Sequence, residues 1–342
     1  MVLGSNPSRP SEGTISCRPL LFLHQNPPDI DRKSLVGYIV DDLAALPTPR
    51  LSPGSEASRP QGRKMIVLSL FDGMSCGQIA LNRAGVKYDR YLASEIDRHA
   101  IEVAQRNYPL TEHIGSVVDL KTESLPKVDL LMGGSPCQSF SIAGSCQGVR
   151  TGFEGKSGLF WEFARVLRET NPTHFLLENV VMKKEWMKVI TDEVKVEPRE
   201  ISSSVFLPQA RRRLYWTNIP FEEPAQREYD ARDIIEGDGF PSSCDMRRFF
   251  RRKEVFNTLT ATYYKGIRAA NRPAVSLRES CLDDDREAHR MLTPEECERL
   301  QSVPSGYTAG ASKTQRYKML GNGWTVDVIA HIFKPLARKA AT

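Results

Sequence analysis

An α/β fold on a doubly wound, mostly parallel sheet is what the sequence predicts, and three observations carry that prediction. From Met65 onward, short apolar runs alternate with stretches of helical periodicity, the pattern left by crossover helices on a parallel sheet. Each apolar run stops where polar or glycine-rich residues begin, as in Leu70-Phe71-Asp72-Gly73 and Met132-Gly133-Gly134. After about residue 220 the alternation fades, and helical patterns resume only at 293–301 and 325–337. Strands are expected at 66–70, 91–94, 130–133 and 175–178, and helices at 77–84, 98–108, 159–169 and 185–193. In such sheets ligands gather at the carboxyl edge, so the residues just past each strand are the functional candidates.

The rest of the chain divides by composition. Residues 1–64 hold nine prolines (7, 10, 19, 27, 28, 47, 49, 53 and 60) among Ser, Gly and Arg. That stretch has too few periodic apolar residues to offset the entropy of ordering a chain, so it is expected to be disordered. Met65, which opens directly onto a strand, is a candidate natural start. A catalytic core is expected over 65–220, a small recognition module over 221–285, and a return to the core over 286–342. The chain has 342 residues with 47 Lys+Arg against 42 Asp+Glu. No run approaches the roughly 18 to 20 apolar residues of a membrane span, and no secretory signal is evident. The seven cysteines form no C-x-x-C pair, which argues against a disulfide framework or structural zinc and for an intracellular protein without metal. His99, His113, His174, His289 and His331 have no ligand spacing.

Within 246–272 there are eight basic residues, among them Arg247, Arg248, Arg251, Arg252, Lys265 and Arg268, against one acidic residue, Glu254. Phe249, Phe250, Phe256, Tyr263 and Tyr264 are interleaved with them. Such interleaving suits a phosphate backbone and unstacked bases, the alternative being a solvated charged face.

The chemistry-bearing residues sit at expected strand ends. Gly73 and Gly77 follow the first strand but lack the G-x-G-x-x-G spacing of a dinucleotide site. Glu95 and Asp119 are placed where carboxylates accept hydrogen bonds from a nucleoside, or else where they cap a helix or turn. The run Gly133-Gly134-Ser135-Pro136-Cys137 delivers a thiol to the ligand edge, where a thiolate acts as a nucleophile; most cysteines taken singly are structural. Phe175-Leu176-Leu177-Glu178 brings a candidate proton donor to the same cleft.

Six ordered motifs resemble those of the DNA cytosine-5 methyltransferases. They are Phe71-x-Gly73, Pro136-Cys137-Gln138, Glu178-Asn179-Val180, Gln209-x-Arg211-x-Arg213, Arg290 through Glu295 with Arg299-Leu300-Gln301, and Gly321-Asn322-Gly323. The resemblance spans about residue 65 to the end. The first motif, the Gly-Gly-Ser-Pro-Cys loop and Gly-Asn-Gly-Trp324 look most similar to phage enzymes and animal de novo methyltransferases.

The resemblance implies the S-adenosylmethionine-dependent methyltransferase fold and a reaction on a cytosine flipped out of double-stranded DNA. By it, Cys137 adds to C6, Glu178 serves N3, and Arg211 and Arg213 contact the flipped nucleotide. The cofactor, S-adenosyl-L-methionine, is assigned to Phe71, Asp72, Gly73, Met74, Ser75, Cys76 and Pro136, with its ribose on Glu95 and its adenine at Asp119 between Ile96 and Leu120. Asn322, Gly323 and Trp324 close that pocket. Ser139 and Ser141 lie on a loop expected to close on DNA, and Gln209 is placed at the DNA side as an orderer of its loop. Three alternatives stay open: a transfer-RNA cytosine-5 methyltransferase, a DNA-binding regulatory homologue without turnover, and a nicotinamide-dependent oxidoreductase. The flanking bases recognised, a cognate restriction enzyme and the oligomeric state are not legible.

Overall fold

The structure, a computed structural model, describes residues 65–136, 158–244, 250–252, 254–267, 272–277 and 289–338, with the backbone alone at 243–244, 250–252 and 338. Its centre is a seven-stranded sheet. Strands β1 (Ile66–Leu70), β2 (Arg90–Ser94), β3 (Glu112–Gly115), β4 (Leu130–Gly134), β5 (His174–Val180), β6 (Arg199–Ser202) and β8 (Arg212–Thr217) lie in the order β3-β2-β1-β4-β5-β8-β6. Pairings from β3 through β5 are parallel, whereas β8 runs antiparallel to both β5 and β6.

Side-chain alternation explains why helices cover both faces. Successive residues of a strand point to opposite sides, and here both sides are apolar. Val67, Tyr91, Ala93, Leu130, Met132 and Leu176 pack into one core; Leu68, Leu70, Leu92, Leu131, Phe175 and Leu177 pack into the other. The first core is covered by α1 (Cys76–Ala84) and α7 (Val326–Arg338), through Ile79, Leu81, Ile329 and Phe333. The second is covered by α3 (Phe160–Thr170) and α4 (Lys184–Val194), through Phe163, Leu167, Ile190 and Val194. Helix α2 (Arg98–Asn107) follows β2 and is capped by Asp97, whose side chain accepts from the His99 amide.

Expected strands and helices agree with these within one or two residues, with one instructive difference. Asp119 was expected at the end of a strand, but β3 ends at Gly115 and Asp119 closes a 3-10 turn, Val117–Asp119. Ser116 caps that turn, its hydroxyl accepting from the Val118 amide.

Beyond residue 220 a second sheet, β10-β9-β12-β13, is built from β9 (Phe240–Cys244), β10 (Phe250–Arg252), β12 (Pro273–Ser276) and β13 (His289–Arg290). A two-stranded pairing of β7 (Gln209–Ala210) with β11 (Phe256–Asn257) ties this region to the main body. Helix α5 (Pro294–Leu300) starts with a capping box between Thr293 and Glu296. Arg290 holds the same Glu296 carboxylate through both terminal nitrogens, at 2.7 and 2.8 Å, so the Arg290-to-Glu296 motif is an internal joint. Helix α6 (Lys313–Asn322) was not expected.

Candidate active site

The loop after β1 is wound tightly. Phe71, Gly73 and Ser75 all have positive φ (56°, 60° and 63°), a conformation that costs non-glycine residues energy and persists only when surrounding bonds fix it. Those bonds are present. The Asp72 carboxylate accepts from the Tyr91 hydroxyl at 2.6 Å and from the Ser75 hydroxyl. Gln78 donates to Ser75 Oγ at 3.3 Å and to Thr111 at 2.7 Å. Burial pushes the Asp72 carboxyl above its usual range, against the Ser69, Ser75 and Tyr91 hydroxyls, which favour its charged form. Asp72 and Ser75 are thus braces beneath the loop, and neither has its side chain at the surface. Met74 and Cys76 are also buried, and burial pushes the Cys76 thiol up to about 12.

Glu95, at the end of β2, accepts from the Gly73 amide at 2.8 Å and from the Ile96 and Asp97 amides at 2.7 and 2.8 Å. It therefore locks the β1 loop to the β2 loop. Around it lie two apolar side chains that soluble proteins normally hide: Ile96 is 76% exposed and Val118 59%. Asp119 is exposed beside Val118, while Leu120 packs into the second core and its carbonyl accepts from Arg165 at 3.3 Å. Exposed apolar residues beside a half-buried carboxylate, Glu95, and an exposed one, Asp119, suit a nucleoside, whose ring needs apolar faces and whose hydroxyls and amino group need acceptors. From the other side come Asn322, exposed, and Gly323. A Cβ at Gly323 would stand 3.1 Å from Cys76 Sγ and Met74 Cε, so the C-terminal turn closes directly on the β1 loop. These residues fit S-adenosylmethionine.

The other half of the cleft is organised around Glu178 on β5. Its Oε1 pairs with Arg213 Nε at 2.9 Å, and its Oε2 accepts from Trp324 Nε1 at 3.1 Å. The two charged side chains are only 11% and 15% exposed, so each depends on the other for compensation. Gly134 makes room for this contact: a Cβ there would meet Trp324 Nε1 at 2.8 Å and Glu178 Oε2 at 2.9 Å. Next to it, the Asn179 amide donates to Ser135 Oγ at 3.0 Å. Asn179 thereby fixes the residue that precedes the half-buried Pro136 and the cysteine beyond it. The sequence reading quoted Asn179 as part of a motif but gave it no role; its adjacency to Glu178 was the signal.

Cys137, Ser139, Ser141, Arg247, Arg248 and Arg268 lie outside the described residues. Arg251 and Arg252 lie on β10, where the backbone alone is described. Lys265 is exposed, with its ammonium 5.9 Å from the Tyr264 ring. Two expected residues are buried. Gln209, expected at the DNA side, is fully buried and donates to the Leu300 carbonyl at 2.6 Å while accepting from the Leu259 amide at 3.1 Å. Arg211, expected at the flipped nucleotide, is 5% exposed and donates to backbone carbonyls. Two positions apart on a continuous strand, both guanidinium groups would share a face; Arg211 instead lies in the break between β7 and β8, while Arg213, on β8, pairs with Glu178.

A strand running backwards between β5 and β6 separates this sheet, of the α/β class, from the all-parallel dinucleotide-binding order. The chain belongs to the family of C-5 cytosine-specific DNA methylases, whose model matches residues 65–220 and 221–338. Methylation of DNA cytosine at C5 is accordingly its activity class.

Among its relatives, the type II methyltransferase M1.ScrFI of Lactococcus lactis subsp. cremoris is 29% identical over 332 residues, covering 84% of this chain and 80% of that protein. The orphan methyltransferase M.Rho11sI of Bacillus phage rho11s is 36% identical over 192 residues, covering 51% of this chain but only 35% of the phage protein. In fold, the chain is similar to the Entamoeba histolytica methyltransferase EhMeth (TM-score 0.63, 16% identity, 80% of this chain and 98% of that one). The S. pombe Dnmt2 methyltransferase is similar in fold too, with a TM-score of 0.62 at 19% identity over 82% of this chain and 100% of that one. Among the described residues no group of side chains is arranged to hold a metal ion, and no helix is long and apolar enough to cross a membrane.

Proposed function

We propose that the protein is a DNA (cytosine-5-)-methyltransferase that acts on a cytosine flipped from duplex DNA, using Cys137 as nucleophile, Glu178 as acid and Arg213 as the cation that holds that acid in register. The observation that carries this reading is the Arg213–Glu178–Trp324 arrangement at the mouth of β4 and β5, packed against Gly134, three positions before Cys137 in the chain. Cytosine C5 is a weak nucleophile. Addition of the Cys137 thiolate to C6 forms the S–C6 bond and pushes the ring electrons toward C5, while a proton from Glu178 neutralises N3. S-adenosylmethionine, bound by Glu95, Asp119, Ile96 and the 71–76 loop, supplies the methyl group to C5. Loss of the C5 proton to solvent then forms the C5–C6 double bond, breaks the S–C6 bond and expels the Cys137 thiolate, while N3 returns its proton to Glu178. Asn179 acts as a positioning residue through Ser135. The basic strand at Arg251 and Arg252 supports DNA as the partner.

The test is covalent capture. With duplex DNA carrying 5-fluorocytosine, the C5 substituent cannot leave as a cation, so the thiolate cannot be expelled. A denaturation-resistant protein–DNA conjugate through Cys137, one methyl group heavier than its parts, is the expected product. Failure to form it with cofactor bound would overturn the assignment of Cys137.

A further inference from the structure

We propose that Arg211 is a positioning residue for the cofactor pocket, joining the recognition side of the molecule to the turn that closes on S-adenosylmethionine, rather than a contact to the target nucleotide. The proposal rests on the methyltransferase reading above. Arg211 stands between β7 and β8 with its guanidinium buried. Nη1 donates to the Leu259 carbonyl at 2.8 Å and the Gly321 carbonyl at 3.3 Å; Nη2 donates to Gly321 at 3.3 Å and to Gly323 at 3.0 Å. Gly321 and Gly323 lie at the carboxyl end of α6, where the last carbonyls of a helix lack intrahelical donors and carry partial negative charge. A buried cation that satisfies them acts as a cap and fixes the direction in which the chain leaves the helix.

Both faces of this turn are in close contact. On one side, a Cβ at Gly321 would lie 2.2 Å from the Thr260 backbone, so the segment after β11 is seated directly on the helix. On the other, Gly323 abuts Met74 and Cys76 of the cofactor loop, and the next residue, Trp324, reaches Glu178. Arg211 therefore joins three carbonyls whose relative placement sets the width of the cofactor pocket. Gln209 lies in the same buried layer and also contacts Leu259, but it bonds Leu300 and Gln301 in place of Gly321 and Gly323. It is a natural control.

The experiment measures S-adenosylmethionine affinity without DNA, by calorimetry, for the unsubstituted protein, Arg211→Lys and Gln209→Ala. Lysine keeps the charge but cannot span three carbonyls, so its dissociation constant should rise about tenfold or more, with duplex affinity measured without cofactor unchanged within about twofold. Gln209→Ala should lower Tm by several degrees while leaving the cofactor constant within about twofold. Unchanged cofactor affinity in Arg211→Lys with weakened DNA binding would overturn the proposal in favour of a nucleotide contact. Equal weakening by Gln209→Ala would overturn it in favour of general loosening. Should Arg211→Lys fail to fold, hydrogen exchange on the unsubstituted protein decides: S-adenosylhomocysteine alone should slow exchange of the amides at 259–261, and protection confined to the β1–β3 loops and 320–324 would contradict the account. An unsubstituted protein that binds no cofactor would count against the methyltransferase reading itself, not against Arg211.

Discussion

The two halves of the cleft are built in different ways. The cofactor half is comparatively local: Tyr91, Ser75 and Glu95 brace a loop drawn from residues 71–97 through bonds that span 2 to 22 positions. The target half is assembled from afar. Glu178 meets Arg213 and Trp324, 35 and 146 positions away (213 − 178; 324 − 178). A pre-formed local site binds before the partner arrives, whereas a site held by long-range contacts responds to whatever moves those segments. Substitutions in the first half should therefore alter cofactor affinity, and those in the second should alter turnover.

The largest effect is expected at Cys137. Cys137→Ala removes the thiol proposed to form the S–C6 bond, so methyl transfer should fall below detection while S-adenosylmethionine affinity stays within about twofold; surviving turnover in a labelled-methyl assay would break the division. Glu178→Gln keeps the shape but cannot supply a proton to N3, and kcat should fall by about 10² to 10⁴ with cofactor KM little changed. Tyr91→Phe probes the other half: it takes one donor from the buried Asp72 carboxylate, so cofactor KM should rise about three- to tenfold at nearly constant kcat, from steady-state kinetics at saturating DNA. Replacing Arg251 and Arg252 by Ala should weaken duplex binding and flatten its salt dependence by about two units of slope at most, checked by titration at several salt concentrations.

The smallest effect concerns Cys76. Because burial raises its pKa to about 12, the thiol form dominates at every ordinary pH, and the thiolate becomes populated only as pH rises toward that value. Alkylation at pH 8 should leave Cys76 unmodified in the folded protein, by peptide mass mapping, and label it after unfolding.

This division also explains what the sequence disclosed. The β1 loop, Glu95 and the Gly-Gly-Ser-Pro-Cys run could be read because each lies at the end of an apolar strand, within a short window. Strand β8 escaped notice because it opens with Arg212 and Arg213, which mask its apolar continuation Leu214-Tyr215-Trp216. Helix α6 escaped for a similar reason: Lys313-Thr314-Gln315-Arg316 has no apolar face, and its burial comes from Tyr317, Met319 and Leu320 in its second half. The separation of Arg211 from Arg213 was invisible, since a motif gives spacing but not which side of the chain each guanidinium takes. Trp324 was assigned to the cofactor pocket by resemblance; its bond to Glu178 depends on the close approach that Gly134 permits, which no local pattern encodes.

The central claim is that this chain methylates cytosine C5 in DNA. Its most direct test is transfer of a labelled methyl group from S-adenosylmethionine to unmethylated duplex DNA, run beside transfer RNA and followed by base-resolution mapping of the product. The account predicts label at C5 of cytosines in a defined sequence context of the duplex. Label confined to transfer RNA, or none on either nucleic acid with cofactor bound, would contradict it.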